Sequence, residues 1–488
     1  MSQISRRLFL SGLAASVGGQ ALAGAPLVSP RPVPRPSGVN FTNIADADTL
    51  IAEARLGQAA VSFVVADART GQVLDAKRGA QALPPASVSK VPTTLYGLDR
   101  LGADYRFTTR LVATGPVSGG QINGDLVLVG GGDPTTDTDK LGAMAVALRD
   151  AGVRGVTGAF KVYAGAIPFV NQIDNQQPPH VGYNPSVSGL NLNYNRVFFE
   201  WKQQQDGYDI VMDARAERYS PHVNVSSMSI VNRDLPVYTY RAGDDGDHWT
   251  VAHSALGDGG GRWLPVRRPE IYTAEVFQTI AGSYGISLGA PQIAQQIPPG
   301  TVLVSSQSDS LTDIAKGMLR HSTNITAEAI GLSATVASGI RPANLRASGR
   351  QMQAWMQSDF GAGSARFVDH SGLGGASRLS AQDMVGILTK SGSQSTLWPI
   401  LKEISIENSP LTLRAKTGSL NFVSTLAGYI RTGGGRDLSF AIFAADVPRR
   451  NALTEAERER PEGGRSWSRR ARNMQFQLVQ RWGELLNS

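Results

Sequence analysis

The chain has 488 residues and 51.8 kDa, of which 41% are hydrophobic and 18% charged, with a mean hydropathy of -0.15. This length predicts two or three domains, and the composition excludes disordered and collagen-like chains. Cysteine is absent, which excludes disulfides, thiolate metal sites and a cysteine nucleophile. The formal charge of +7 is not clustered in a basic stripe, so we predict no nucleic-acid binding.

The first 39 residues predict export. Arg6 and Arg7 precede an apolar run from residue 8 to residue 23 that ends in small residues, as in a cleavable twin-arginine-type signal covering residues 1–25. Glycines interrupt the run, which is shorter than the roughly 20 apolar residues of a membrane span. Five prolines in residues 26–39 predict an extended tether. We therefore expect a periplasmic protein without an integral membrane span.

The N-terminal half predicts a hairpin, a helix and then inserted material. Strands at 61–66 and 72–77 precede a helix at 86–101, with Gly102 beyond its end. In residues 104–290, glycine-rich turns separate short strands at 107–113, 125–129, 194–201, 208–212 and 237–240, and one helix is expected at 138–151. This segment is predicted to be a β-rich insertion of one or more domains.

The C-terminal half predicts four helices, at 311–319, 325–336, 344–356 and 381–390, followed by strands at 411–417, 424–431 and 437–445. An exposed loop at 449–464 and a closing amphipathic helix at 467–486 end the chain. Strands from both ends can complete one sheet. Residues 40–103 and 291–488 are therefore predicted to form one mixed α/β domain, a sheet flanked by helices.

The first chemical motif is Ser87-Val88-Ser89-Lys90 at the start of the predicted helix. Residues at i and i+3 share a helix face, so Lys90 can reach the Ser87 hydroxyl. A serine oxygen is a poor nucleophile until a neighbour takes its proton, and a lysine does so only when burial or nearby cations hold it neutral. Taken alone, the tetrapeptide also fits an N-capping serine and a solvated lysine.

Two further motifs follow in order. Ser322-Thr323-Asn324 lies between two predicted helices, and Lys416-Thr417-Gly418-Ser419 lies on a predicted strand, where the glycine lets a ligand approach the backbone. Ser-x-Asn alone is unspecific, since the stretch 419–421 also satisfies it. The three motifs together, in this order and these settings, are specific.

The three motifs resemble those of penicillin-binding proteins and class A β-lactamases. Ser87 and Ser322 are 235 residues apart, which resembles the D-alanyl-D-alanine carboxypeptidase/endopeptidase family (low-molecular-mass class C penicillin-binding proteins, peptidase family S13), where an extra domain pair separates the first two motifs. The segments 131–135, 188–193 and 369–373 also look like this family. The resemblance covers nearly the whole chain and implies a β-lactamase/transpeptidase-like catalytic domain.

The resemblance also implies roles for residues. Ser87 would attack the carbonyl carbon with neutral Lys90 as general base, Ser322 would relay the proton, and Asn324 would bind a substrate amide and position Lys90. The backbone N–H groups of Ser87 and Ser419 would form the oxyanion hole. The other residues assigned to the substrate are Lys416, Thr417, Gly418, Ser419 and Arg378, with Asp174 as a candidate for contact with the diamino acid of the stem peptide.

The implied function is that of a serine-type D-Ala-D-Ala carboxypeptidase or DD-endopeptidase acting on peptidoglycan stem peptides, with β-lactams as covalent inhibitors and no metal or organic cofactor. Two alternatives stay open at the level of sequence. A serine β-lactamase would share the motifs, although no obvious deacylating glutamate is present. A non-catalytic peptidoglycan-binding scaffold would not need two lysines beside serines.

Overall fold

The computed structural model of the chain describes residues 44–392, 396–406 and 409–487. The predicted signal at 1–25 and the tether at 26–39 lie outside these ranges. Within them, no helix combines the length and the apolar character that crossing a bilayer requires.

Eleven α-helices occur in the described residues, with these bounds: α1 (Ala47–Glu53), α2 (Lys90–Leu101), α3 (Thr138–Asp150), α4 (Pro269–Ser283), α5 (Leu311–His321), α6 (Asn324–Ala337), α7 (Leu345–Phe360), α8 (Ala381–Ser391), α9 (Val447–Asn451), α10 (Glu455–Glu459) and α11 (Gly464–Leu485).

The strands of the same ranges have these bounds: β1 (Ala60–Asp67), β2 (Val73–Lys77), β3 (Ala82–Leu83), β4 (Thr108–Ala113), β5 (Val117–Ser118), β6 (Gln121–Ile122), β7 (Leu126–Val129), β8 (Gly155–Val156), β9 (Phe160–Tyr163), β10 (Arg196–Gln204), β11 (Gly207–Asp213), β12 (Ser226–Val231), β13 (Tyr238–Ala242), β14 (Asp247–Ala252), β15 (Gly259–Pro265), β16 (Gln292–Ile293), β17 (Thr301–Gln307), β18 (Leu379–Ser380), β19 (Glu403–Ile404), β20 (Thr412–Leu420), β21 (Val423–Arg431) and β22 (Asp437–Ala445).

The central element is a six-stranded antiparallel sheet in the order β19-β20-β21-β22-β1-β2. The first strand of the sequence pairs with the last along its whole length, from Ala60 opposite Ala445 to Asp67 opposite Leu438. The prediction that strands from both ends of the chain complete one sheet is therefore confirmed.

Both faces of this sheet are buried, which explains why its central strands are apolar almost throughout. Successive side chains of a strand point to opposite faces. In β1, Val64 and Ala66 pack against the layer that contains α2 and α5 to α8. Phe63 and Val65 pack on the other face, against α1 and α11. The apolar stripe of α11, predicted from its helical spacing, includes Trp467 and is buried on this second face.

A separate apolar core lies between α2 and α5, in the segment predicted to be an insertion. It is built on the five-stranded sheet β16-β9-β7-β4-β17 and on two three-stranded sheets, β11-β10-β15 and β12-β14-β13. The insertion was expected to end at residue 290. Strand β17 nevertheless pairs with β4, from Thr301 opposite Ala113 to Gln307 opposite Thr108. The strands of the inserted segment thus continue to Gln307, because a return strand is needed to cover the open edge of β4.

Two further predictions differ from the structure. Helix α4 lies in the segment expected to be β-rich, and it was missed because its aromatic and β-branched residues favour strands by propensity, whereas packing against α3 makes it helical. The predicted loop at 449–464 is wrong in part, since it includes most of α9 and all of α10. Thr454 and Glu457 form a capping box at the start of α10, a signal that the sequence carried.

Candidate active site

Ser87 lies in a short 3-10 turn, Ala86–Ser89, immediately before α2. Two contacts hold this turn against β20 and β21. Thr425 Oγ1 donates a hydrogen bond to the carbonyl oxygen of Pro85 at 2.8 Å. At position 418, a Cβ atom would stand 2.9 Å from Ser87 N and would collide with Thr425 Oγ1. Only glycine at this position lets the strand backbone approach the N–H of Ser87 so closely.

Lys90 is fully buried at the first residue of α2. Its Nζ lies 3.1 Å from Ser87 Oγ, 2.7 Å from Asn324 Oδ1 and 2.9 Å from the carbonyl oxygen of Ser371. The last two atoms are hydrogen-bond acceptors, and they fix the amine next to the Ser87 hydroxyl. A neutral amine held in this way can accept the hydroxyl proton.

The electrostatic surroundings favour that neutral form. Burial lowers the pKa of Lys90 to about 7, and the positive charge of Lys416 acts in the same direction, while the carboxyl groups of Glu328 and Asp369 oppose it. Burial and the nearby charge of Lys402 lower the pKa of Lys416 to about 8. Two lysines with separated pKa values can serve as a base and as a cation in the same pH range.

Ser322 and Asn324 come from the junction of α5 and α6. Ser322 ends α5 in the left-handed conformation, with φ of 59°, and its N–H donates to the carbonyl oxygen of Met318. Asn324 begins α6, and its Nδ2 donates to the carbonyl oxygen of Tyr183 in the inserted segment at 2.8 Å. The amide of Asn324 therefore links the buried amine of Lys90 to the insertion.

Strand β20 forms another wall. Lys416 is buried, and its Nζ donates to the carbonyl oxygen of Thr417 at 2.7 Å. Thr417 and Ser419 are exposed, whereas Gly418 between them is buried, as the alternation of a strand requires. Ser419 shares a cavity of about 1210 Å³ with Ser87, Ser322 and Asn324.

Arg378 and Asp174 are not among the described residues that line this cavity. Arg378 Nη1 donates to the backbone carbonyl oxygens of Gly375 and Ser377 at 2.7 and 2.8 Å. The carboxylate of Asp174 accepts hydrogen bonds from Gln176 N and Gln177 Nε2. The structure thus brings the three motifs together. Lys90, Lys416, Thr417 and Gly418 are likewise not among the described lining residues, and Asp174 contacts Gln177, which is one of them.

Two buried carboxyl groups behind Lys90 were missed as site residues. Glu328 accepts hydrogen bonds from the backbone N–H groups of His370 and Ser371, and Asp369 accepts one from Gly372 N. Burial raises the pKa of both carboxyl groups. They hold the segment whose Ser371 carbonyl oxygen contacts Lys90. A glutamate within the apolar stretch of α6 was the signal for Glu328. No group of three or more His, Asp or Glu residues suited to a metal ion occurs in the described ranges.

Comparisons with known proteins agree with this arrangement. The family model described as D-Ala-D-Ala carboxypeptidase 3 (S13) family matches residues 44–460. A D-alanyl-D-alanine carboxypeptidase of Actinomadura sp. is 26% identical over 453 residues, covering 83% of this chain and 81% of the relative. The D-alanyl-D-alanine carboxypeptidase DacB of Haemophilus influenzae is 21% identical over 410 residues, covering 78% and 85% of the two chains.

Among solved structures, penicillin binding protein 4 (dacB) from Haemophilus influenzae superposes with a TM-score of 0.73 at 18% sequence identity. The match covers 89% of this chain and 99% of the other. A second structure of that protein, complexed with a β-lactam, gives a TM-score of 0.69. At this identity, the likeness shows a shared fold.

Proposed function

The chain belongs to the D-Ala-D-Ala carboxypeptidase 3 (S13) family, and from that membership we propose how its residues carry out the reaction. The protein is a serine-type D-alanyl-D-alanine carboxypeptidase that acts on peptidoglycan. The proposal assigns the acyl-enzyme to Ser87 and the general base to Lys90. The observation that carries it is the buried amine of Lys90, 3.1 Å from Ser87 Oγ and with its pKa lowered to about 7.

In the proposed acylation step, Ser87 Oγ attacks the carbonyl carbon of the penultimate D-Ala, and its proton passes to Lys90 Nζ. The N–H groups of Ser87 and Ser419 stabilise the negative oxygen of the tetrahedral intermediate. The C–N bond then breaks, and the proton reaches the departing amine through the Ser322 hydroxyl. Water hydrolyses the resulting ester with Lys90 again as base.

Substrate binding is proposed to use the charged end of the scissile dipeptide. The ammonium of Lys416 and the hydroxyls of Thr417 and Ser419 bind the terminal carboxylate, and Asn324 binds a substrate amide as well as Lys90. The exposure of Thr417 and Ser419 on one face of β20 supports this role. Arg378 stays a proposed substrate-binding residue, and Asp174 stays a candidate for contact with the diamino acid, supported by its hydrogen bond to Gln177, which lines the cavity.

DD-endopeptidase action on cross-linked stem peptides and acylation of Ser87 by β-lactams follow from the same chemistry. We propose that the protein works in the periplasm after export by the signal at 1–25. We also propose that the segment between α2 and α5 is a unit of its own, supported by its separate apolar core.

The test is the Ser87→Ala variant. We expect loss of D-Ala release from a stem pentapeptide and loss of covalent labelling by fluorescent penicillin, because the variant has no hydroxyl to acylate. Ser89→Ala is the matched control. It removes a buried hydroxyl two residues away that does not reach the cavity, so it should keep both activities. D-Ala release by Ser87→Ala at the wild-type rate would contradict the proposal, and rapid turnover of penicillin by the wild type would indicate a β-lactamase instead.

The two peptidase activities are separated by mass spectrometry of cell-wall muropeptides after incubation with the protein. Loss of one alanine from pentapeptides reports carboxypeptidase action, and conversion of cross-linked dimers to monomers reports endopeptidase action. Absence of dimer cleavage would remove the endopeptidase part of the proposal.

A further inference from the structure

The cavity that contains Ser87 is strongly basic. Its charged lining residues are one carboxylate, Glu459, and six arginines: Arg262, Arg450, Arg460, Arg465, Arg469 and Arg472. Glu459 already contacts Arg262 at 3.6 Å. The volume of about 1210 Å³ also exceeds the roughly 300–1,000 Å³ typical of small-molecule pockets. A terminal dipeptide alone accounts for neither the size nor the charge.

Three of these arginines belong to one face of α11. Arg465, Arg469 and Arg472 follow the i, i+4, i+7 spacing that aligns side chains along a helix, and all three are exposed. In the ranges that the structure describes, none of them forms an ion pair or a hydrogen bond. Arg470 and Arg481 of the same helix, by contrast, donate to Ala54 O and to Asp75 Oδ2. The three are therefore uncompensated cations in the cavity that Ser87 also lines.

The position of the three arginines relative to the scissile bond is inferred from strand β20, an inference that rests on the proposed function. If Lys416 and Thr417 bind the terminal carboxylate and Ser419 N–H faces the oxyanion, the substrate before the scissile bond runs past Leu420 and Asn421. Both residues line the cavity, as do the three arginines of α11. The arginines of α11 then face the acyl part of the substrate, not its departing D-Ala.

We propose that Arg465, Arg469 and Arg472 form an anion-binding wall that recognises free carboxylates on the acyl part of the stem peptide. The substrate class is thereby narrowed to stem peptides whose carboxylates are not amidated. A guanidinium group binds a carboxylate through two parallel hydrogen bonds, and an amide cannot replace the carboxylate because it lacks the charge. A cavity lined by one sign of charge also concentrates such substrates.

The experiment compares two stem pentapeptides of equal length, one with free D-glutamate and diamino-acid carboxylates and one with both amidated. We expect wild-type kcat/KM to favour the free form by about tenfold at low salt and to lose that preference as salt screens the arginines. The combined variant Arg465→Gln, Arg469→Gln and Arg472→Gln should abolish the preference, mainly through KM.

The matched control is the variant Arg346→Gln with Arg350→Gln. These two exposed arginines of α7 have the same i, i+4 spacing, and they do not line the cavity. The control should keep the tenfold preference. Thermal unfolding midpoints of both variants near the wild-type value show that folding is intact.

A third substrate, an N-acetylated D-Ala-D-Ala dipeptide without other carboxylates, separates the two proposals. Wild type and the triple variant should hydrolyse it equally. If the wild type neither hydrolyses it nor is labelled at Ser87 by penicillin, the proposed function fails. If the wild type hydrolyses the dipeptide, two results overturn the anion-binding wall. One is a wild type that does not distinguish the two pentapeptides, and the other is a triple variant that still prefers the free-carboxylate form.

Discussion

Lys90 and Lys416 are the residues in which burial acts most directly on chemistry. An exposed lysine keeps its proton near neutral pH and cannot act as a base. Burial and the charge of Lys416 lower the pKa of Lys90 to about 7, and burial and the charge of Lys402 lower the pKa of Lys416 to about 8. In the proposed mechanism the first must be neutral and the second charged, so only a narrow pH range satisfies both.

The pH dependence follows from these two values. The rate of acylation of Ser87 by penicillin should rise with pH through about 7, as Lys90 loses its proton, and fall again through about 8, as Lys416 becomes neutral. Lys416→Met removes a positive charge near Lys90, which raises the pKa of Lys90. The rising limb should therefore move to higher pH in this variant, in addition to the loss of rate.

The measurement is the second-order rate constant of penicillin labelling from about pH 5 to about pH 10, a range that spans both limbs of the profile. Lys316→Met is the control, since Lys316 is exposed on α5 and does not line the cavity. A rising limb that stays at the same pH in Lys416→Met would show that the two lysines do not interact.

At the scale of elements, the site depends on strand β20 packing against the turn that carries Ser87. Gly418 is the contact point, and Gly418→Ala would press a methyl group against Thr425 Oγ1 and Ser87 N. We expect penicillin labelling of this variant to slow by about 100-fold, because the displaced turn misaligns the oxyanion donors. Gly317→Ala is the control, because a Cβ at this position of α5 meets no atom within 4 Å. Equal labelling of Gly418→Ala and wild type would contradict the close approach.

The secondary-structure elements also show how much of the fold and the site the sequence alone can predict. The proximity of Lys90 to Ser87 and the settings of the three motifs on helices and a strand were predicted from sequence, because helix geometry and strand alternation are local. The contact between Lys90 and Asn324 was expected only from the family resemblance, because no local pattern joins residues 234 positions apart. Helix α4 was missed because packing overrode the propensities of its residues. Glu328 was overlooked although it is a lone glutamate in the apolar stretch of α6, and the arginines of α11 were not identified because only the folded chain brings them to the cavity.

At the scale of the whole molecule, the cavity is shared by two parts of the chain. Gln177, Tyr183 and Arg262 come from the inserted segment, and the nucleophile and α11 come from the other part. Glu459 connects them, with its carboxylate 3.0 Å from His180 Nε2 and 3.6 Å from Arg262 Nη2. The substrate-binding space is thus completed only when the insertion and the C-terminal segment meet.

Glu459→Gln removes the one carboxylate from the described lining of the cavity. We expect kcat/KM for the free-carboxylate pentapeptide to rise by about twofold, because Arg262 is no longer partly neutralised, while the amidated pentapeptide is unaffected. Glu455→Gln, an exposed residue of α10 that does not line the cavity, is the matched control. A fall in activity toward the free-carboxylate peptide would show that the bridging contact of Glu459 outweighs its charge.

The pairing of β1 with β22 has a consequence for biosynthesis. Residues 60–67 leave the ribosome early, yet their partner strand is completed only at residue 445. Until then one edge of an almost wholly apolar strand has no neighbour to hydrogen-bond, and the sheet cannot close. A nascent chain stopped between residue 419 and that point would carry all three catalytic motifs and still lack the strand that completes their scaffold.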